Sequence, residues 1–311
     1  MQLGAEAVVT NEYNEALFVL RNDSRTWAMP GGGVEADERP DEAAAREAQE
    51  ESGLKVLPVR LVALYYRREE PDGHLLFSFR CLQKGGQLAA SAESPRVGFM
   101  KTVPTPRPML ALHRERLERA LSHTGGPPYW GVQELSRPVR LARWLAHRSL
   151  NLRRLLRRDP TYEPAPEWSV GASVLIHDEE RRVLWLKRTD HEVWNLPGGG
   201  RQGQEAPWET AVRETREETG LDVRLTDLAG VYTKPQQGEV VLLFTAEVVG
   251  GTLRRGPEAV DFTYLLPGEE PANTVPEHVE RVAGATGARS GTIFRAQTAP
   301  PSDLAALAQE G

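Results

Sequence analysis

Short apolar runs, broken by glycine, proline and acidic turns, fill this chain, and they occur twice in the same order. Residues 4–9 and 16–21 read as strands with a polar turn at 11–15 between them, and residues 171–176 and 183–188 are their counterparts. The pattern then turns helical. Ala43-Ala44-Ala45-Arg46-Glu47-Ala48-Gln49-Glu50-Glu51 is strong helix-forming sequence, with Pro40 suited to a first turn and Gly53 to the end; Pro207 and Gly220 bracket the second version. Apolar stretches at 59–66 and 75–82 follow around Pro71-Asp72-Gly73, which is hairpin chemistry, and 228–232 and 240–248 flank a turn two residues shorter. Each copy closes on a helical segment, His113-Arg114-Glu115-Arg116-Leu117 against His278-Val279-Glu280-Arg281-Val282. A helix set between antiparallel strands argues for an α+β layered unit, built twice.

The register of the repeat divides the chain. From residue 4 to 54 the second copy follows at a constant offset of 167 with 21 of 51 positions identical, and after the hairpin the offset is 165. A chain of 311 residues fits two domains on length alone. The expected organisation is a first domain at 1–122, a linker at 123–166, a second domain at 167–285 and a tail at 286–311. Within the linker, residues 137–158 carry eight arginines and no acid, with Leu141, Trp144, Leu145, Leu152, Leu155 and Leu156 at helical spacing. Lys and Arg against Asp and Glu number 16 and 18 in the first domain and 14 and 23 beyond residue 166. A basic amphipathic helix is therefore expected to dock between two acidic units; binding of nucleic acid is the rival reading. In the tail, one apolar patch at 292–294 could form a late edge segment.

Composition narrows the class. No run of about 18 apolar residues occurs, so no transmembrane helix and no membrane partner are expected. The start, Met-Gln-Leu-Gly-Ala-Glu, lacks the basic and apolar regions of a signal peptide. The single cysteine, Cys81, lies in an apolar run and fits a core position in a reducing compartment, which makes the cytoplasm the default location.

Chemistry concentrates in the helix and the loop before it. Glu47, Glu50 and Glu51 stand at i, i+3 and i+4, as do Glu214, Glu217 and Glu218, so each trio projects from one helix face. Three clustered anions repel, and a multivalent cation between them is the economical explanation. Only oxygen ligands are on offer, which suits hard cations such as Mg2+ or Mn2+. The glycine runs Gly31-Gly32-Gly33 and Gly198-Gly199-Gly200 let backbone approach a ligand just ahead of a helix N-terminus that favours an anion. Arg21 and Arg188 close the second strand of each copy, placed either to clamp a phosphate or to pair with the acids. His113 and His278 read as surface or helix-packing residues, and Trp27 and Trp194 as packing residues.

The shared pattern of Gly, five residues, Glu, seven residues, Arg-Glu, two residues, Glu-Glu, one residue, Gly-Leu resembles the Nudix box. The resemblance spans some 240 residues, with two soft departures: Ala48 and Thr215 replace a bulky aliphatic. It implies two Nudix-type α/β/α sandwich domains that hydrolyse nucleoside diphosphates linked to another moiety. Glu47, Glu50, Glu51, Glu214, Glu217 and Glu218 would hold the metals, aided by carbonyls of Gly32 and Gly199. Arg46 and Arg213 would orient the acids, with Glu38 and Glu205 behind them, and Glu47, Glu51 or Glu93, with Glu214, Glu218 or Glu258 in the other copy, would carry the proton. Arg21, Arg188, Gly31 and Gly198 would face the nucleotide substrate, and Glu93 and Glu258, beyond the box, would complete metal binding. Subfamily markers are missing, which leaves nucleoside triphosphates and nucleoside diphosphate sugars as the leading substrates. The alternatives are a nucleotide-sensing or scaffold protein without turnover, and an RNA-end pyrophosphohydrolase that grips RNA with the arginine helix.

Overall fold

The computed structural model describes residues 1–68, 73–134, 166–189, 192–287 and 291–297. In the first half the chain runs through β1 (Gln2–Val9), β2 (Ala16–Leu20), β3 (Trp27–Ala28), β4 (Gly31–Gly33), α1 (Pro40–Ser52), β5 (Leu54–Arg67), β6 (His74–Gly86), β7 (Arg96–Met100), α2 (Ala111–Ser122) and β8 (Tyr129–Val132). The second half repeats this as β9 (Ser169–Ile176), β10 (Val183–Arg188), β11 (Trp194–Asn195), β12 (Gly198–Gly200), α3 (Pro207–Thr219), β13 (Leu221–Lys234), β14 (Glu239–Gly251), β15 (Ala259–Leu265), α4 (Pro276–Gly287) and β16 (Ile293–Ala296).

Each half holds a five-stranded mixed sheet, ordered β4-β1-β6-β5-β8 and β12-β9-β14-β13-β16, and a three-stranded one, β3-β2-β7 and β11-β10-β15. The long β5–β6 and β13–β14 hairpins follow from alternating apolar runs around a turn. In the first half, Ala43, Ala44 and Ala48 of α1 pack on Leu3 and Ala5 of β1 and on Phe77 and Phe79 of β6. The other side is covered by α2, where Leu117 and Ala120 meet Val8, Phe18 and Val62. Ala48 and Thr215, short where a bulky residue was expected, are fully buried and bring the helix close to the sheet.

Both box helices start and stop as their sequence dictates. Glu42 accepts the Arg39 N–H (2.9 Å) and Glu209 the Ala206 N–H (2.8 Å), which satisfies a donor that the first turn cannot. Gly53 and Gly220 end the helices at φ 75° and 78°, where a side chain would strain the backbone. Cys81 is buried and unpaired, and burial pushes its thiol up to about 12, as befits a core position.

Two segments extend the sheets past the expected domain ends. Residues 129–132, expected in the linker, form β8 and pair in parallel with β5; residues 293–296, which overlap the apolar patch expected as a late edge segment, form the edge strand β16 and pair in parallel with β13. Both strands matter to the contact between halves. Trp130 of β8 sits edge-on to Phe244 of β14 at 5.7 Å, and Phe294 of β16 tilts against Phe79 of β6 at 5.1 Å. Trp130 and Phe294 occupy matching registers opposite Leu64 and Val231, as Phe79 and Phe244 do within their hairpins, so the contact is reciprocal in the manner of a two-fold dimer. Met1 and Trp168 exchange hydrogen bonds at 3.0 and 2.8 Å where β1 and β9 begin. The arginine-rich segment 137–158 and turn residues 69–72 lie outside the described residues. No described helix is long and apolar enough to cross a membrane.

Candidate active site

The glycine loop is held as a strand. Gly31, Gly32 and Gly33 pair with Glu6, Ala5 and Gly4 of β1, and Gly198, Gly199 and Gly200 pair with Ser173, Ala172 and Gly171 of β9. This brings the loop against the acidic face of the helix. A side chain on Gly32 would run into the Glu47 carboxylate, and one on Gly199 would stand 2.6 Å from that of Glu214. The requirement for glycine here is close approach rather than a left-handed backbone.

One guanidinium organises each acidic face. Arg46 donates to both oxygens of Glu38 (3.0 and 2.7 Å), to Glu47 (3.0 Å), to Glu50 (3.0 Å) and to the Gly33 carbonyl (2.8 Å). Arg213 repeats the set with Glu205 (2.7 and 3.0 Å), Glu214 (2.8 Å), Glu217 (2.8 Å) and the Gly200 carbonyl (3.2 Å). A planar fork with five donors can do this, whereas a lysine ammonium cannot. The carboxylates hold both guanidinium groups above the usual arginine range, with the hydrogen bonds from Glu38 and Glu205 as the largest cause. Glu50 and Glu217 keep their outer sides toward solvent.

Glu51 and Glu218 face inward. Gly31 N–H donates to Glu51 at 2.9 Å and Gly198 N–H to Glu218 at 2.8 Å, so these two amides position an acid. Burial raises the Glu218 carboxyl to about 8 against the pull of the Gly198 amide, and Glu214 and Glu258 add to the rise. Glu47 is raised to about 7, first by burial, against Arg46. Glu51 is raised by burial and opposed by Gly31, Arg21 and Ser94. Burial is the first cause of the rise in all three acids, and neighbouring carboxylates add to it.

The two clusters are not identical. Glu214, Glu218 and Glu258 each bring a carboxylate oxygen within 4.8 Å of the others, and they are the sole such trio among the described residues. In the first half, Ser94 donates to Glu51 at 3.2 Å, and Glu93 acts on Glu51 through its charge. Ala259 takes the place of Ser94 in the second half and has no hydroxyl to offer. All-oxygen donors at this separation fit a hard divalent cation.

Behind the loop of the second half lies a cavity of about 320 Å³, lined among others by Arg188, Asn195, Lys234, Glu239, His278 and Arg281. Arg188 lies near Glu218 as well, between cavity and acids. Its counterpart Arg21 forks onto Asp23 at 3.1 and 2.9 Å and feels the charges of Glu51 and Glu93. His278 takes the packing role of the two expected for it: its Nδ1 accepts the Leu196 N–H at 2.9 Å, and burial with Arg281, Lys234 and Arg188 nearby holds its pKa well below the usual histidine range. Trp27 is buried under Arg96, in keeping with a packing role. Sequence reasoning passed over Glu6, Arg116, Gln133, Lys234, Arg281 and Gln297. The one signal available was the identity of Arg116 and Arg281 at an inward position of the closing helix.

The NUDIX domain family matches residues 1–115 and 168–282. A Bacillus subtilis protein, provisionally named an 8-oxo-dGTP diphosphatase, is 34% identical over 116 residues, 37% of this chain and 78% of its own length. A MutT-like protein of Streptomyces ambofaciens is 36% identical over 33% of this chain and 68% of its own. An ADP-ribose pyrophosphatase of Methanocaldococcus jannaschii is 35% identical over 29% of this chain and 57% of its own. Among solved structures, a NUDIX hydrolase from Nitrosomonas europaea covers 44% of this chain and 81% of its own at 20% identity, with a TM-score of 0.38.

Proposed function

The chain belongs to the NUDIX family over both of its halves and is a hydrolase of that family, and from this premise we propose that each half cleaves nucleoside diphosphates linked to another moiety with Mg2+ or Mn2+. Nucleoside triphosphates and nucleoside diphosphate sugars are the substrates intended. The observation that carries the reading is the convergence of Glu214, Glu218 and Glu258 within 4.8 Å beside the Gly198–Gly200 strand. When bound, a divalent cation supplies neutralisation of the diphosphate and acidifies the attacking water.

The protein's own residues do the rest. Glu47, Glu50 and Glu51, with Glu214, Glu217 and Glu218, would hold the cations, and Arg46 and Arg213 keep four of these six acids in place through hydrogen bonds of 2.8 to 3.0 Å. Gly32 and Gly199 leave room for this by having no side chain. The proton of the attacking water passes to a carboxylate of the same cluster, Glu47, Glu51 or Glu93 in the first half and Glu214, Glu218 or Glu258 in the second. Arg21 and Arg188, beside these acids, would meet the phosphates. The test is a nucleotide panel assayed with Mg2+ and Mn2+ for released phosphate and pyrophosphate. Turnover by wild type should vanish in the double variant Glu50→Gln, Glu217→Gln; wild-type rates in that variant would refute the assignment.

A further inference from the structure

Arg116 of α2 and Arg281 of α4 occupy matching positions, 4% and 2% exposed. Each stacks on a tyrosine, Arg116 on Tyr65 at 5.2 Å and Arg281 on Tyr232 at 5.6 Å. Each also uses Nε to hold a glutamine, Gln133 at 2.9 Å and Gln297 at 3.2 Å. The remaining side of the guanidinium differs. In the first half Nη1 of Arg116 donates to Glu6 at 3.3 Å, an ion pair with both side chains 4% exposed. In the second half the position opposite the glycine strand is Ser173 instead of Glu6. Arg281 then has no ion-pair partner among the described residues, and its Nη1 makes no hydrogen bond there.

A buried guanidinium cannot shed its proton to escape the cost of burial, and burial does lower the Arg281 pKa. The nearest acids are otherwise engaged: Glu239 and Glu277 approach Lys234 at 3.2 and 3.7 Å, and Glu280 binds Arg295 at 3.1 Å. Arg281, Arg188 and Lys234 line the same cavity of about 320 Å³, which opens onto Gly198–Gly200. The first half presents the opposite chemistry. Among the described residues the buried Glu6 Oε1 has no hydrogen-bond partner and neither has Gln133 Nε2, whereas Gln297 Nε2 donates to Glu280 at 2.8 Å.

We propose that the second cavity holds an anionic substituent of the substrate against Arg281, a charge that Glu6 already satisfies on Arg116 in the first half. The substituent is a phosphate or carboxylate separate from the diphosphate under attack. Glu6 and Ser173 are thus the residues by which the two halves select different substrates. The substrate part of this inference rests on the hydrolase reading; its binding part does not.

Calorimetric titration of the full chain in EDTA with inorganic phosphate, and separately with acetate, reads the site without turnover. The expected result is anion binding weakened at least about tenfold by Arg281→Met and by Ser173→Glu, and unmoved by Arg116→Met. Ser173→Glu rebuilds a pair that the first half already contains, so it remains informative should Arg281→Met fail to fold. Glu6→Ser is expected to add a second binding event. Tighter binding of phosphate than of acetate marks the substituent as phosphoryl, and the reverse marks it as carboxylate. Absence of binding by either anion, or binding that survives Ser173→Glu, overturns the inference. In a Glu50→Gln background, Ser173→Glu should also raise KM for ADP-ribose 2′-phosphate relative to ADP-ribose. Failure to cleave either compound with anion binding intact counts against the hydrolase reading alone.

Discussion

Arg201, just past the glycine strand of the second half, donates to the hydroxyl of Tyr66 in the first half at 3.0 Å, and Tyr66 in turn lies edge-on to Trp208 at 6.5 Å. With Trp130 on Phe244 and Phe294 on Phe79, this makes the boundary between halves a packed interior. Trp130→Ala is expected to lower stability by about 3 kcal/mol, the low end for removing a core tryptophan, since its side chain is only partly buried. Denaturant unfolding checks it, and a midpoint indistinguishable from wild type would show that the aromatic contact carries no stability.

Cation affinity should differ between the halves. Three carboxylates already stand within 4.8 Å in the second, while Glu51 accepts a hydrogen bond from Ser94 in the first. Manganese titration followed by electron paramagnetic resonance should therefore resolve two classes of site. Glu218→Gln is expected to remove the tighter class and Glu51→Gln the weaker one. A single class lost in equal part by both variants would contradict the asymmetry.

The guanidinium straps are open to a conservative exchange. Arg213→Lys keeps the charge but cannot reach Glu205, Glu214, Glu217 and the Gly200 carbonyl together, so turnover at that site should fall about 10–100-fold, as when the support of a metal ligand is lost. Measured in a Glu50→Gln background, activity within a factor of about two of the parent would mean that charge alone suffices.

His278 offers a pH readout away from the acids. Its folded pKa lies well below 6.5, depressed by burial and by Arg281, Lys234 and Arg188, so the unfolded chain binds a proton below pH 6.5 that the folded chain refuses. Stability tied to this residue is full above pH 6.5 and is lost as pH falls below it. Thermal midpoints of the metal-free protein at pH 7.5 and 5.5 should differ less in His278→Asn than in wild type. An equal difference in both proteins would mean that the imidazole does not titrate in this way.

What could be read from sequence follows from how local each signal is. Helices α1 and α3 declare themselves through a proline, a glutamate at the third helical position and a glycine within thirteen residues, and the spacing of Glu47, Glu50 and Glu51 puts the acids on one face without tertiary information. Strand β8 has no signal of its own and β16 shows only as the apolar patch at 292–294, because each is four residues long and pairs in parallel with a strand more than sixty residues away, where no turn signal announces the partner. The repeat concealed them as well: Tyr129-Trp130-Gly131-Val132 and Ile293-Phe294-Arg295-Ala296 match at an offset of 164 and share no residue. Glu6 and Arg116 are 110 positions apart, so their pairing becomes visible only once β1 and α2 are folded together.

The reciprocal packing of Trp130 on Phe244 and Phe294 on Phe79 also bears on inheritance. In a dimer of identical subunits every substitution appears in both sites at once, and a change that helps one and harms the other cannot be separated. Joined in one chain, the two sites answer to different codons, so a glutamate can stay at position 6 while a serine stands at position 173. Fusion preserves the geometry of the pair and releases its members from having to be the same.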